Sequence, residues 1–218
     1  MSFNVSQKLS GNIEAIRIAL TWDNQRKLTE KELETLRNYA GFGGIKAVLH
    51  PVGDRDVWVK RKVSEAEMRL YPKVMELHAL LRELLPETEY KEAVDALKHS
   101  ALPAYYTPEI IPNAIYAALK EQHIEPIRLY EPSAEAGIFI TEAAGSFPAL
   151  ESVNAVEKDI LTGRILSALA SSLPFPVTVQ IKGLEETPAT EKGQSDMVAS
   201  NIPFGNLSVF DPAYQGSP

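Results

Sequence analysis

The chain has 218 residues, 44% of them hydrophobic and 23% charged, with a net charge of −7 and an isoelectric point near 5.2. That length is enough to bury a full core, and the absence of cysteine excludes disulfides and thiolate metal sites. The acidity argues against a chain that grips nucleic acid unaided, because such a grip needs a basic face.

The first hundred residues read as helices. "GNIEAIRIALTW" places Ile13, Ile16, Ile18 and Leu20 near helical spacing. "LTEKELETLRNYAGFGG" opens with Thr29 and Glu32 in a capping-box pattern and is expected to close on Gly41, Gly43 and Gly44. "GFGG" lacks the Gly-Lys-Ser/Thr ending of a phosphate loop and follows a helix, so it reads as a helix end. Lys60, Arg61 and Lys62 form a short solvated patch. Ser64 and Glu67 make a second capping box, and Pro72 begins a new helical turn or kinks the run. Met75, Leu77, Leu80, Leu81, Leu84 and Leu85 form a packing stripe, and "EYKEAVDALKHS" is a further helix. His50, His78, His99 and His123 show no zinc-ligand spacing.

After about residue 101 helices alternate with strands. "TPEIIPNAIYAALKEQ" is a helix with Thr107 as N-cap and Pro108 in the favoured first position. "IRLYEP" is a strand, "AGIFITEAAGSF" a helix, "SVNAVEKD" a strand and "ILTGRILSALASSL" an amphipathic helix. "PVTVQIKG" and "SDMVASNIPF" are two more strands. This alternation implies βαβ units and a parallel sheet, which binds ligands at the carboxyl ends of its strands. The organisation expected is a helical region over 1–100 and an α/β core over 101–218. No internal repeat or low-complexity segment is present. The polar start, "MSFNVSQKLSGN", is unlike a secretory leader. No apolar run approaches the roughly 20 residues of a membrane span. A soluble, cytoplasmic protein is expected.

The four strand ends read "EPSAEAGIF", "VEKD", "KGLEETP" and "NIPFG". They make sense as a nucleoside site. Gly137 lets the chain turn closely under a ligand. Glu157 ends the second strand, somewhat beyond the usual ~20 residues after the first, where an acid accepts both ribose hydroxyls. Leu184 and Glu185 are placed to cover and read an adenine. Asn201 and the carbonyl of Ile202 can accept hydrogen bonds from an exocyclic amino group, while Phe204 stacks on the ring that bears it. Taken alone, "NIPFG" is equally a turn that ends a strand.

"AYYTPEII", "LYEPSAEAGIF", "NAVEKD", "GLEETP" and "SNIPFG" succeed one another in order. Together they resemble the ordered motifs of S-adenosylmethionine-dependent adenine-N6 DNA methyltransferases. More narrowly, with "LRNYAGFGGIKAVL" and "EYKEAVDALKHSALPAYYTP" upstream, they resemble the methylase part of large methylase–helicase proteins of bacterial mobile elements. The resemblance spans roughly residues 28 to 215. It implies an α/β fold with a Rossmann-like methyltransferase sheet, preceded by a helical N-terminal region. It implies S-adenosylmethionine as cofactor and DNA as partner. Tyr106, Thr107 and Pro108 would then lie against the methionine end of the cofactor. Glu131, Pro132, Ser133, Ala134 and Gly137 would form the loop beneath it, Glu157 would hold the ribose, and Leu184 and Glu185 would face the cofactor adenine. Asn201, Ile202, Pro203 and Phe204 would receive the target base, and catalysis would be mostly positioning and electrostatics.

The sequence departs from that pattern in places. Glu135 stands where the family has glycine, and its Cβ is tolerable only if the backbone there avoids positive φ. Its carboxylate would either oppose the cofactor's own carboxylate or meet its amino group. Ala136 and Ile138 replace polar residues, and Ile202 replaces a proline. The family's sheet has seven strands and this sequence supplies about four, so an incomplete core is expected, with DNA held mainly by regions outside the chain. "FDPAYQ" imitates a second catalytic box, but no strand precedes it. Two alternatives stay open: a methyltransferase-like scaffold or DNA-positioning module without activity, and methylation of a glutamine amide.

Overall fold

In the computed structural model, residues 4–101, 107–188 and 193–201 are described. The first apolar pattern becomes α1, Val5–Thr21, capped by Asn4, whose Oδ1 accepts from the Ser6 and Gln7 N–H groups. α1 buries Leu9, Ile13, Ile16 and Ile18 together with one amide, Asn12, which is 1% exposed. The Asn12 Nδ2 donates to the Gly41 carbonyl at 2.6 Å, and its Oδ1 accepts from the Ala40 N–H at 3.2 Å. One side chain thereby satisfies a donor and an acceptor of the turn after the next helix. Asn12→Ala strands both groups and is expected to cost about 2 kcal/mol, read as a lower urea midpoint at unchanged slope.

α2, Glu30–Arg37, opens with the expected capping box: the Thr29 hydroxyl accepts from the Glu32 N–H and the Glu32 carboxylate from the Thr29 N–H. It ends earlier than its glycines suggest, at Asn38. The chain leaves the helix there and buries Tyr39, Phe42 and Ile45, and Gly41 and Gly44 serve that turn with positive φ. α3 is Arg55–Lys60 and α4 is Glu65–Met68, capped by Ser64. Pro72 sits in the first turn of a separate helix, α5, Tyr71–Leu84. Its stripe buries Val74, Leu77, Leu80 and Leu81, and also His78, which is 3% exposed. Burial, and secondarily Arg82, lowers the His78 pKa to about 4, so the ring is neutral and its Nδ1 pairs with the Tyr90 hydroxyl at 3.1 Å. α6 is Glu87–Ser100.

The chain forms two compact units. One joins Met1–Tyr106 to Asp159–Ser172, and the other joins Thr107–Lys158 to Leu173–Pro218. The first therefore includes α9, Ile160–Ala170, which packs on α1, α2 and α6. Asp159 caps α9 by accepting from the Leu161 and Thr162 N–H groups, and the Tyr39 hydroxyl lies 3.3 Å from Thr162 Oγ1.

The second unit contains α7, Ile110–Glu121; β1, Arg128–Glu131; α8, Ile138–Ser146; β2, Ser152–Glu157; β3, Val177–Ile181; and β4, Met197–Val198. Thr107 does not cap α7. The N-cap is Glu109 with no side-chain bond, because the Pro108 carbonyl closes its own turn on the Ile111 N–H. All strand pairs are parallel and the order is β3-β2-β1-β4. This is the order with which a doubly wound Rossmann sheet begins, reversing direction between β1 and β4. Leu129, Val153, Ala155 and Val156 are buried, as a covered parallel sheet requires. β4 is shorter than its apolar run implies, with only Met197 and Val198 in register with Leu129 and Tyr130. Asp196 secures its start, accepting from the Ile127 and Arg128 N–H groups and pairing with the Arg128 guanidinium at 2.8 Å. Among the described residues no helix is long and apolar enough to cross a membrane.

Candidate functional site

Parallel pairing sets Glu131, the last residue of β1, opposite Ala155, so the end of β2 extends past it to Glu157. Between the two strands runs the loop 132–137, and three hydrogen bonds shape it. The Ala134 N–H donates to the Val156 carbonyl at 2.9 Å, the Glu135 N–H to Glu157 Oε2 at 2.7 Å, and the Gly137 N–H to the Ala134 carbonyl at 2.7 Å. The loop is thus fastened to the carboxyl end of β2. Gly137 has φ 81° and ψ 35° and starts α8. Glycine takes that conformation freely, whereas an L side chain pays about 1–2 kcal/mol. Gly137→Ala is expected to lower stability by about that amount, seen as a drop of several degrees in Tm.

Glu135 breaks the condition set by its sequence. Its φ is 49°, in the left-handed region where a non-glycine residue is uncommon. The bond from its N–H to Glu157 holds it there. Strain and electrostatics meet at the same residue. Glu131 is 1% exposed, and its Oε2 has no hydrogen-bond partner. Burial raises the Glu131 pKa well above the usual carboxylate range, and Glu135 and Glu157 push it the same way. Burial also pushes Glu135 up to about 7, with Glu157 adding to the shift and the Thr107 N–H, which donates to it, opposing. Neither Glu131 nor Glu135 meets a cationic side chain among the described residues. Lys158, next to Glu157 in the chain, pairs instead with Glu185 at 3.0 Å.

The other expected site residues fall around this cluster or away from it. Thr107 is half-buried, with its hydroxyl enclosed and unpartnered, and Pro108 is exposed. Pro132 and Ser133 are half-buried and Ala134 is buried. Leu184 is 46% exposed at the start of the 3-10 turn Leu184–Glu186, whose Glu185 is held by Lys158. Asn201 is half-buried just after β4, and the preceding Ser200 hydroxyl makes a long contact, 3.5 Å, to the Ser133 carbonyl. Tyr106, Ile202, Pro203 and Phe204 lie outside the described residues. The structure therefore brings together Glu131, the 132–137 loop, Glu157 and the Thr107 N–H. Glu135 is the addition: the sequence marked it as an intruder, and its carboxylate is instead a central member of the cluster. A separate groove of about 480 Å³ between α7 and β4 is lined by Ile115, Tyr116, Ile124 and Val198 and includes none of the three carboxylates. Among the described residues no group of side chains is arranged to hold a metal ion.

No family model matches the chain, and no curated protein matches it. Among solved structures it is similar to a Listeria monocytogenes protein assigned to the class I S-adenosylmethionine-dependent methyltransferases, at 14% identity and a TM-score of 0.40. That likeness covers 92% of this chain and 59% of the other. The chain thus spans less than two thirds of that protein's length.

Proposed function

We propose that the chain is the core of an S-adenosylmethionine-dependent methyltransferase acting on the N6 amino group of adenine in DNA. The observation that carries the reading is the pairing of two acids, Glu131 and Glu157, at the carboxyl ends of adjacent parallel strands, with a loop turned by a left-handed glycine between them. Open α/β sheets hold nucleotides and nucleosides in that position. The residues suit the cofactor at two points. The buried, unpartnered Oε2 of Glu131 is an acceptor waiting for a donor, as the cofactor's ammonium group is. Glu157 would hold the ribose, and one of its oxygens also accepts from the loop's Glu135 N–H. S-adenosylmethionine, when bound, supplies an electrophilic sulfonium methyl. The chain's own part is to orient the acceptor nitrogen. Asn201 and the Ile202 carbonyl would accept hydrogen bonds from an exocyclic amino group, and Phe204 would stack on its ring. That assignment rests on the "NIPF" sequence, with Asn201 following β4.

Calorimetric titration with S-adenosylmethionine tests the cofactor. Glu157→Ala is expected to weaken binding by about ten- to a hundredfold, the usual loss for a hydrogen bond to a charged group. Transfer of labelled methyl groups to duplex DNA, against a protein bearing an accessible glutamine, tests the substrate. Label on glutamine alone would sink the DNA reading. A second reading, a scaffold of the same ancestry that does not use cofactor, draws support from Glu135, whose carboxylate crowds the loop at φ 49°. Absence of binding at millimolar S-adenosylmethionine would favour it.

A further inference from the structure

We propose that the end of α3 is a phosphate-binding surface that helps to hold duplex DNA. The choice of partner rests on the proposed function, but the surface lies wholly in the first unit and uses none of the crevice residues.

The stretch "RDVWVKRK", residues 55–62, carries Arg55, Lys60, Arg61 and Lys62 against the single acid Asp56, in a chain whose net charge is −7. All four cations are exposed. α3 has six residues, too few to stand as an isolated helix. One side chain fastens it. Trp58 is fully buried, its ring meets those of His50 and Tyr71 at 4.8 and 5.2 Å, and its Nε1 donates to the Pro51 carbonyl at 2.9 Å. The Tyr71 hydroxyl donates to the Gly53 carbonyl at 2.8 Å, which ties the start of α5 to the loop before α3. No other residue of α3 is buried, and Val59 is 58% exposed. The helix adds one anchor to the core and displays its other residues from a fixed base.

The turn that ends α3 is the second observation. The Lys62 N–H donates to the Val59 carbonyl at 3.0 Å and the Val63 N–H to the Trp58 carbonyl at 3.2 Å, the pair of bonds that closes a helix through a left-handed residue. That residue is Lys62, at φ 55°. Glycine is the ordinary choice there, and an L side chain takes the conformation at a cost. Cations in the last turn of a helix complement its dipole, which accounts for Lys60. It does not account for a lysine beyond the turn in glycine's usual place. Three consecutive long cations on a fixed turn suit a row of phosphates, and a guanidinium such as that of Arg61 can pair a phosphate through two N–H groups. Duplex DNA presents such a row, with one charge per about 1.7 Å of axis. The acidity of the rest of the chain is felt weakly there, because salt at physiological strength screens exposed charges beyond about 8 Å. A membrane surface would need an apolar face beside the cations, and Val59 alone among the apolar residues of α3 is exposed.

The test is fluorescence anisotropy of a short labelled duplex, titrated with the whole chain across a salt series. Replacing Lys60, Arg61 and Lys62 together by Gln is expected to weaken binding by about tenfold or more at low salt. It should also flatten the slope of log affinity against log salt by about 0.9 for each charge removed. Lys62→Gly removes one charge and suits the turn, so its slope should flatten by about 1 while its Tm is no lower than that of the native chain. Unchanged affinity and slope in the triple variant overturn the surface, as does a native chain that leaves the duplex free at low salt. A Lys62→Gly chain that binds as the native one does overturns the role of Lys62. Tighter association with phosphatidylserine vesicles than with duplex at equal phosphate overturns DNA as the partner. Methyl transfer is read separately. Binding that the triple variant loses, with no transfer to DNA by the native chain, upholds the surface and sinks the proposed activity. Transfer that is equal in the native chain and the triple variant upholds the activity and overturns the surface.

Discussion

The native chain is expected to lose stability relative to Glu135→Gln as pH rises from 5 to 8. The folded Glu135 carboxyl titrates at about 7, above its ordinary value of 4.5. Between those values the folded state holds a proton that the unfolded state has released, so raising the pH favours unfolding. Its contribution is complete below pH 4.5 and is lost as pH rises through 7. Discounted for the partial exposure of this side chain, the loss is about 2 kcal/mol. Glu131 shifts in the same direction, chiefly through burial, and is common to both proteins. His78 acts oppositely: its folded pKa is about 4, so its contribution grows as pH rises and is complete by about 6.5. The native and variant urea midpoints are therefore compared at each pH, where His78 cancels. A difference that stays constant from pH 5 to 8, or that turns in the native chain's favour, would show that the fold does not raise the Glu135 pKa.

Glu131→Gln is expected to stabilise the protein and to abolish ligand binding. At pH 8 the native residue either keeps a proton against the solvent or places a charge beside two other acids with one oxygen unsatisfied. The amide is neutral and can donate to a neighbouring carboxylate. Removing an unpaired buried charge is worth about 1–3 kcal/mol. The gain should shrink at pH 5, because burial raises the Glu131 pKa above the usual carboxylate range and the native residue is then less often charged. Affinity for S-adenosylmethionine should fall by about a hundredfold or more, because the acceptor proposed for its ammonium group is then an amide. Thermal scans at both pH values, paired with titration of S-adenosylmethionine, check the two halves. A variant that is both less stable and still able to bind would show that Glu131 is a structural acid unrelated to a ligand.

Much of the fold was legible in the residues. The capping box at Thr29 and the one-sided N-cap at Ser64 mark the helix starts, Pro72 separates α4 from α5, and the β-branched and apolar runs give all four strands. What escaped depends on tertiary packing or backbone geometry. α2 stops at Arg37 because Tyr39 and Phe42 are drawn inside, a fact no local glycine announces. Thr107 has a good cap's chemistry, but Pro108 imposes a turn of its own. β4 keeps two ladder residues, and its anchor, Asp196, bonds to residues nearly seventy positions earlier. At the site, the order of the acids along the strands could be read from the sequence. The positive φ of Glu135 could not, because it is accompanied by a bond to Glu157 from a different strand.

The excursion of α9 governs how this protein can be divided. The segment leaves the sheet unit after Lys158, packs on α1, α2 and α6 with Ile160, Leu161, Ile165, Leu166 and Leu169 buried, and the chain rejoins the sheet unit at Leu173. A cut near residue 101 therefore does not yield two self-sufficient pieces. The carboxyl-terminal piece would carry a helix with its apolar residues exposed, and the amino-terminal piece would lack a member of its core. The sheet with its acids and the helices ahead of it should be produced as one polypeptide, and the two pieces should regain native-like protection only when mixed.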